Sequence, residues 1–329
     1  MRQGEYAFYD FEPAVADMKE EVLEGLTAES KYLSPKYFYD MEGSRLFEKI
    51  TQLDEYYLTR TEMSLFDRHL SEVSARVGED LCLIEYGSGS SKKIRKLLEQ
   101  LSVRAYVPID ISNTHLQENA RALHRDFPHL DVFPVCADIT QPFELPPGTR
   151  GLTRLGFFPG SSIGNFEPQQ AQRFLAVIRE EVGQGGVLLI GVDRKKPVDV
   201  LERAYDDEKG VTAAFNLNVL RHINHRLDTD FDLSGFEHEA RYDEVEGCVK
   251  MYLVSKRHQV VEVDGSKIEF EAGECVHTEN SYKYHPGEFL ELANSAGFAL
   301  EAEWSDSKGW FSLFLLKGVG QIRKDRVSM

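Results

Sequence analysis

From about residue 61, the spacing of apolar side chains changes period in a regular way. Residues 61–78 carry them at helical spacing, and the apolar run Leu81-Cys-Leu-Ile-Glu-Tyr86 then reads as a first strand. Helical spacing returns at 91–99, 113–126 and 168–181, and strand-like runs fall at 106–109, 132–135, 153–158 and 186–192. Strands alternating with helices predict a parallel sheet with helices on both faces. The alternation stops over 197–283, where helical patterns at 200–205 and 211–226 precede strand-like segments at 237–243, 248–255, 259–263 and 266–270. It resumes with a helix at 288–296 and two strands, 299–304 and 310–317, which predict an antiparallel hairpin closing the sheet. The expected fold class is therefore α/β, with residues 61–196 and 284–329 forming the sheet domain. Residues 1–60 and 197–283 are left for a second, α+β domain. No internal repeat, coiled-coil heptad or low-complexity tract is present.

Composition narrows the partners. A net charge of −17 over 329 residues argues against a phosphate backbone, because nucleic-acid binders usually present a basic face, and no Lys/Arg run exceeds Arg194-Lys-Lys196. Cys82, Cys136, Cys248 and Cys275 are dispersed, and none forms C-x-x-C. They read as free thiols in a reducing compartment, with neither a disulfide framework nor a metal site. The sequence carries neither the apolar core of a signal peptide near its N-terminus nor a run long enough to span a bilayer. The expectation is a cytoplasmic protein without membrane or nucleic-acid partners, its oligomeric state open, with a monomer slightly favoured.

Candidate chemistry begins where the first strand ends. Glu85-Tyr86 runs directly into Gly87-Ser-Gly-Ser-Ser-Lys-Lys93, a strand delivering a tight glycine turn to a helix N-terminus. Glycine has no Cβ, so a ligand can approach such a turn closely. The next strand-like run ends in Asp110, about twenty residues after the glycines, where an acid can hydrogen-bond a ribose diol. The third position of the dinucleotide fingerprint is Lys92 instead of glycine, so the turn matches an NAD site poorly, and no phosphate loop is present. A glycine pair between two strand-end acids resembles the S-adenosylmethionine (SAM) site of Rossmann-like methyltransferases. Their usual architecture is a seven-strand sheet with a terminal antiparallel hairpin.

Further segments make the resemblance specific. Tyr37-Phe-Tyr-Asp-Met-Glu-Gly-Ser-Arg-Leu-Phe-Glu-Lys-Ile-Thr51, Asp54-Glu-Tyr-Tyr-Leu-Thr-Arg-Thr-Glu62, Pro159-Gly-Ser-Ser-Ile-Gly-Asn165, Ala204-Tyr-Asp-Asp207 and His277-Thr-Glu-Asn-Ser281 join the glycine turn. Together they resemble the SAM-dependent L-histidine Nα-methyltransferases of ergothioneine biosynthesis over nearly the whole chain. Related fungal N-methyltransferases acting on a prenylated tryptophan share much of the pattern. The resemblance implies SAM as methyl donor, with S-adenosylhomocysteine as its product, no metal, and a small amino-acid substrate recognised by the second domain. By motif, Gly87, Lys93 and Asp110 resemble donor contacts, and Asp138 and Ile139 the adenine contacts. Asn165 and Tyr205 are similar to the pair that holds the α-carboxylate, while Tyr56, Glu279, Ser281 and Met251 are similar to the side-chain pocket. Tyr39 and Phe47 match aromatics beside the reacting amine, with Tyr39 or a water the candidates for proton acceptor.

The implied reaction is attack of a neutral α-amine on the sulfonium methyl, repeated three times to give hercynine. An imidazole offers ring hydrogens that Glu279 can accept, and Arg60 with Glu279 favours histidine. Leu58 follows Tyr57 where bacterial histidine enzymes often carry proline and the tryptophan-directed relatives tend to carry leucine, which keeps a tryptophan derivative or another amine as the alternative. A SAM-binding protein without catalysis is the other alternative, and the intact polar set argues against it.

Overall fold

A computed structural model describes residues 4–11, 18–88 and 91–320, so Gly89 and Ser90 of the glycine turn lie outside the described residues. In chain order, strand β1 (Tyr9–Asp10) precedes helices α1 (Met18–Thr27), α2 (Met41–Ile50) and α3 (Tyr57–Val77). Then come β2 (Leu81–Tyr86), α4 (Ser91–Gln100), β3 (Val103–Asp110), α5 (Asn113–Asp126), β4 (Asp131–Val132) and β5 (Val135–Cys136). They are followed by β6 (Thr153–Phe158), α6 (Pro168–Val182), β7 (Val187–Asp193), α7 (Val198–Tyr205) and α8 (Val211–Leu227). Strands β8 (Phe236–Asp243), β9 (Cys248–Ser255), β10 (Gln259–Val263), β11 (Ser266–Phe270) and β12 (Cys275–Tyr282) come next, then α9 (Pro286–Ser295), β13 (Phe298–Ser305) and β14 (Phe311–Gly318).

The described chain divides into two compact units. One takes in residues 4–11, 61–88, 91–194 and 284–320; the other takes in 18–60 and 195–283. The first is built on a sheet of order β1-β5-β3-β2-β6-β7-β14-β13, with β4 also paired to β3. Pairing is parallel from β1 to β7 and antiparallel where β14 meets β7 and β13 meets β14. Every residue of β2 and β7 is buried, as strands covered on both faces require. The α/β sheet with its closing hairpin is the expected one.

Two details of the sheet correct the expectation. The third strand splits into β4 and β5 around Phe133-Pro134, since proline has no N–H to give to a ladder. The N-terminus does not stand wholly apart from the sheet: Tyr9 and Asp10 pair in parallel with Val135 and Cys136, adding an edge strand to the first unit. Among the described residues nine strands therefore pair where seven were expected.

The second unit contains an antiparallel sheet of order β12-β9-β8 and a separate hairpin, β10–β11. That hairpin turns at Asp264-Gly265, both left-handed (φ 49° and 78°), the geometry a two-residue turn needs. Its helices pack through aromatic rings, with Phe38 stacked on Phe215 at 4.6 Å. A break in the alternation of β12 matters most for chemistry. The register against β9 shifts between His277 and Glu279, so Val276 and Thr278 point inward and then Glu279 and Ser281 do as well. The bulge re-aims a carboxylate that simple alternation would have put on the opposite face.

Candidate active site

In the first unit, the strand order changes direction at β2, whose neighbours are β3 and β6, and ligands of open α/β sheets bind at the carboxyl ends beside such a switch. Gly87 leaves β2 with φ +73°, and a Cβ built there meets nothing within 4 Å. The turn is held from behind: the Gly87 and Ser88 amides donate to the Ile109 carbonyl at 3.0 and 2.9 Å. Glu85 is buried beneath it and accepts from the Tyr106 hydroxyl. Burial pushes the Glu85 carboxyl up to about 7, against hydrogen bonds from Tyr106 and Ser88 and the Lys93 ammonium. Glu85 thus shapes the turn from below.

Asp110 ends β3, with Oδ1 accepting from the Ser112 amide at 2.8 Å, and burial raises its carboxyl above the usual range. Asp138 follows β5, with Oδ1 accepting from the Thr140 amide at 2.9 Å and the Thr140 hydroxyl at 2.7 Å, and Ile139 lies within that turn. An open glycine face and two strand-end carboxylates, each anchored through one oxygen, fit an adenosine with its ribose diol and exocyclic amine.

Lys93 has a second role. Its ammonium pairs with Glu62, which is fully buried. The other Glu62 oxygen accepts from the Gly160 amide at 2.8 Å. Glu62 therefore ties the helix after the glycine turn to the loop 159–165. In that loop Ser161 is left-handed (φ 60°), its hydroxyl accepts from the Asp193 amide at 2.9 Å, and Asn165 is exposed at the end of a 3-10 turn, Ser162–Asn165.

The second unit gathers the remaining predicted residues. Tyr205 ends α7, and its hydroxyl lies 2.7 Å from the Ser281 hydroxyl. Lys283, only 1% exposed, donates to Tyr205 Oη at 2.7 Å and to Ser281 Oγ at 2.8 Å. Glu279, Ser281 and Lys283 follow the bulge at alternate positions, the period of one strand face. Burial pushes the Glu279 carboxyl up to about 7, and the Lys283 ammonium pulls it back. Met251 is the cross-strand partner of Glu279 and is buried. Rings run on from Tyr205 to Tyr56 (6.1 Å between centroids), Phe47 (6.3 Å) and Tyr39 (5.9 Å), each at a steep interplanar angle.

Tyr39 is half exposed over its whole surface. Burial of its hydroxyl, then the Glu279 carboxylate and the Tyr56 and Tyr205 phenols, hold that hydroxyl well above its ordinary range. A phenol so held keeps its proton at neutral pH, which argues against Tyr39 as proton acceptor.

His238 buttresses Tyr205 from the backbone side. Nε2 lies 2.7 Å from the Tyr205 carbonyl, and Nδ1 lies 2.8 Å from the Asn216 amide nitrogen. Those partners fit the neutral ring with its hydrogen on Nε2, and burial lowers its pKa below the usual value.

Arg60 corrects an expectation. Its guanidinium donates to the carbonyls of Leu53 (2.9 Å), Tyr56 (3.4 Å) and Asp54, so it clamps the segment carrying Tyr56 and does not read the substrate. Leu58 is the second residue of α3 and is buried, a helix position where proline and leucine are both accommodated. The departure at this site needs no change of substrate. Two residues without a predicted role emerge, Glu62 and Lys283. Lys283 has a readable signal, the alternation Glu279-x-Ser281-x-Lys283; Glu62 has none.

Sheet order, glycine turn and strand-end acids define the class: an α/β methyltransferase using SAM. Residues 18–318 match the family described as histidine-specific methyltransferase, SAM-dependent, and the chain belongs to that family. It is 38% identical over 309 residues to the histidine N-alpha-methyltransferase of Mycolicibacterium smegmatis, covering 92% of this chain and 95% of that one. It is 39% identical over 305 residues to the enzyme of the same name from Mycobacterium tuberculosis, covering 91% and 94%. Ergothioneine biosynthesis protein 1 of Schizosaccharomyces pombe is 26% identical over 294 residues, 84% of this chain and 38% of that longer one. Among the described residues no helix is long and apolar enough to cross a membrane.

Proposed function

We propose that this protein transfers methyl groups from SAM to the α-amine of L-histidine and carries the reaction through three rounds to hercynine, a precursor for ergothioneine. The observation that carries the reading is the buried polar row Glu279, Ser281 and Lys283 beside Tyr56 and Tyr205. An apolar substrate ring would offer no hydrogen-bond donor to the buried Glu279 carboxylate that it covers, and an unmatched buried polar group costs about 1–3 kcal/mol. An imidazole offers ring hydrogens to match it.

When bound, SAM supplies an electrophilic methyl group on its sulfonium sulfur. Gly87, Asp110, Asp138, Ile139 and Lys93 are assigned to holding it, with the Asp110 oxygen not used by Ser112 directed to the ribose. We assign the first unit to the donor and the second to recognition of the histidine side chain. Asn165 and Tyr205 are given the α-carboxylate, Glu279, Ser281 and Tyr56 the imidazole, and Met251 the packing beside it. Dry surroundings favour the neutral α-amine, whose conjugate acid titrates near ~8 in peptides. The faces of Phe47 and Tyr39 stabilise the growing quaternary ammonium. All fixed contacts go to carboxylate and ring, which stay the same between rounds while the amine turns. The four free thiols support a reducing compartment, the cytoplasm.

The test is incubation of the purified protein with SAM and a pool of free amino acids plus histamine, read by mass spectrometry. Trimethylated histidine is the expected product. A methylated tryptophan or histamine, or histidine stopped at one methyl group under saturating SAM, would overturn the assignment.

A further inference from the structure

Tyr205 and Ser281 close a triangle of hydrogen bonds with Lys283, a residue to which the recognition scheme above gives no role. Lys283 Nζ donates to Tyr205 Oη (2.7 Å) and to Ser281 Oγ (2.8 Å), and the two hydroxyl oxygens are 2.7 Å apart. An ammonium has donors only, so both oxygens must accept from it. The third side of the triangle consumes one of the two hydroxyl hydrogens. Within the triangle one hydroxyl hydrogen is not used, and it belongs to either Tyr205 or Ser281.

The histidine reading, on which this step rests, gives that hydrogen to Tyr205 for the substrate carboxylate. Ser281 must then donate to Tyr205, and what it offers a ligand is a lone pair. We propose that Lys283 is a positioning residue that fixes Ser281 as an acceptor, so that the site takes the histidine ring only with hydrogen on the nitrogen facing Ser281 and one proton shared between the other nitrogen and Glu279. The charges then pair off: Lys283 with the substrate carboxylate region, the ring with Glu279. Among the groups that act on Glu279, the Lys283 ammonium pulls its carboxyl down, and the Tyr39 phenol, held well above its ordinary range, keeps its proton at neutral pH.

This arrangement has a proton count. At pH 8 a free imidazole, with a pKa of about 6.5, is neutral. The Glu279 carboxyl, at about 7, is mostly ionised there. The bound pair requires one proton more than the free partners carry, so binding must take one up from solvent. Without Lys283, the Ser281 hydroxyl can turn and donate to a bare ring nitrogen, a neutral ring then satisfies both Ser281 and ionised Glu279, and the uptake disappears.

The experiment titrates Nα-trimethylhistidine, whose ammonium cannot titrate, into protein saturated with S-adenosylhomocysteine at pH 8. Calorimetry in buffers of different ionisation heat reads the protons exchanged. The wild type should take up about one proton per ligand, and its affinity should fall about tenfold per pH unit above 8. Lys283→Met should take up close to none and show a flat affinity over the same range, while binding S-adenosylhomocysteine as the wild type does. Ser281→Ala, which removes the acceptor, should also lose the uptake and serves if Lys283→Met does not fold. No uptake by the wild type, or unchanged uptake in the foldable variants, overturns the proposal. A wild type that methylates histidine but takes up no proton refutes only the role of Lys283, whereas one that neither binds nor methylates histidine refutes the substrate reading itself.

Discussion

Glu279 has the most to lose by mutation, because its carboxylate is buried and its orientation depends on a bulge one residue away. Sites built to hydrogen-bond a substrate group reject analogues lacking it by ~10⁴-fold in favourable cases. Glu279→Ala should lower kcat/KM for histidine by about 10²–10⁴ and raise the share of phenylalanine or tryptophan methylated in a competition read by mass. An unchanged histidine preference would remove Glu279 from the pocket. At this scale, the legible part of the site consists of residues whose type and place declare a role, such as a glycine after a strand, an acid at a strand end, or a carboxylate and a serine two residues apart. Glu62 escapes such a reading because its partners, Lys93 and Gly160, are distant in sequence and no local pattern marks them. Lys283 continues the alternation of Glu279 and Ser281, but its bond to Tyr205 spans distant parts of the chain. Arg60 misleads for the converse reason. A cation beside the motif suggests a substrate contact, but its donors satisfy nearby carbonyls.

Among the elements, periodicity predicts the alternating core well, since β2 and β7 are apolar along their length and the amphipathic helices between them are long. It misses β1, since two residues are too few to show a period, and it joins β4 to β5 across Pro134, where the ladder breaks. The bulge in β12 is beyond its reach for the same reason, because one inserted residue reverses the faces and looks like noise in the pattern. A prediction at this scale concerns β7. A Cβ added at Gly191 would lie 2.0 Å from Glu62 Oε1 and 3.0 Å from Phe311 Cζ. Gly191→Ala must therefore push the Glu62 carboxylate off Gly160 and Lys93, loosening both loops that border the carboxyl edge of β2 and β6. The expected result is a loss of about 1–3 kcal/mol in urea unfolding together with a several-fold rise in KM for SAM. Wild-type SAM affinity in this variant would mean that the Glu62 link does not position the donor site.

For the whole molecule, the balance of buried ionisable groups determines how stability responds to pH. Burial raises the carboxyls of Glu85 and Glu279 to about 7 and that of Glu181 to about 8. An acid raised in the folded state binds more protons folded than unfolded, so its stabilising contribution is full below its unfolded value, near ~4.3, and is lost as pH rises through the folded one. His238 acts in the other direction: its pKa is lowered by burial, so its contribution is intact above about 6.5 and declines as pH falls below that. Surface carboxyls whose pKa is lowered, such as Glu239 and Asp243, affect stability only in the acid range below. Between pH 6.5 and 8.5 the three raised carboxyls are unopposed, and the melting temperature should fall across that window. A charge of −17 adds repulsion in the same direction, which salt will screen. Glu181 allows the effect to be isolated, because its Oε2 accepts from the Tyr86 hydroxyl at 2.7 Å within the first unit and it is assigned no contact with donor or substrate. Glu181→Gln keeps an acceptor for Tyr86 and removes the titration. Calorimetric melting should therefore decline less steeply in Glu181→Gln than in the wild type from pH 6.5 to about 8, with the two slopes converging above pH 8. A wild type that is flat or rising over this window, or a variant with the same slope, would mean that Glu181 titrates near its ordinary value and that the core does not hold its carboxyl protonated.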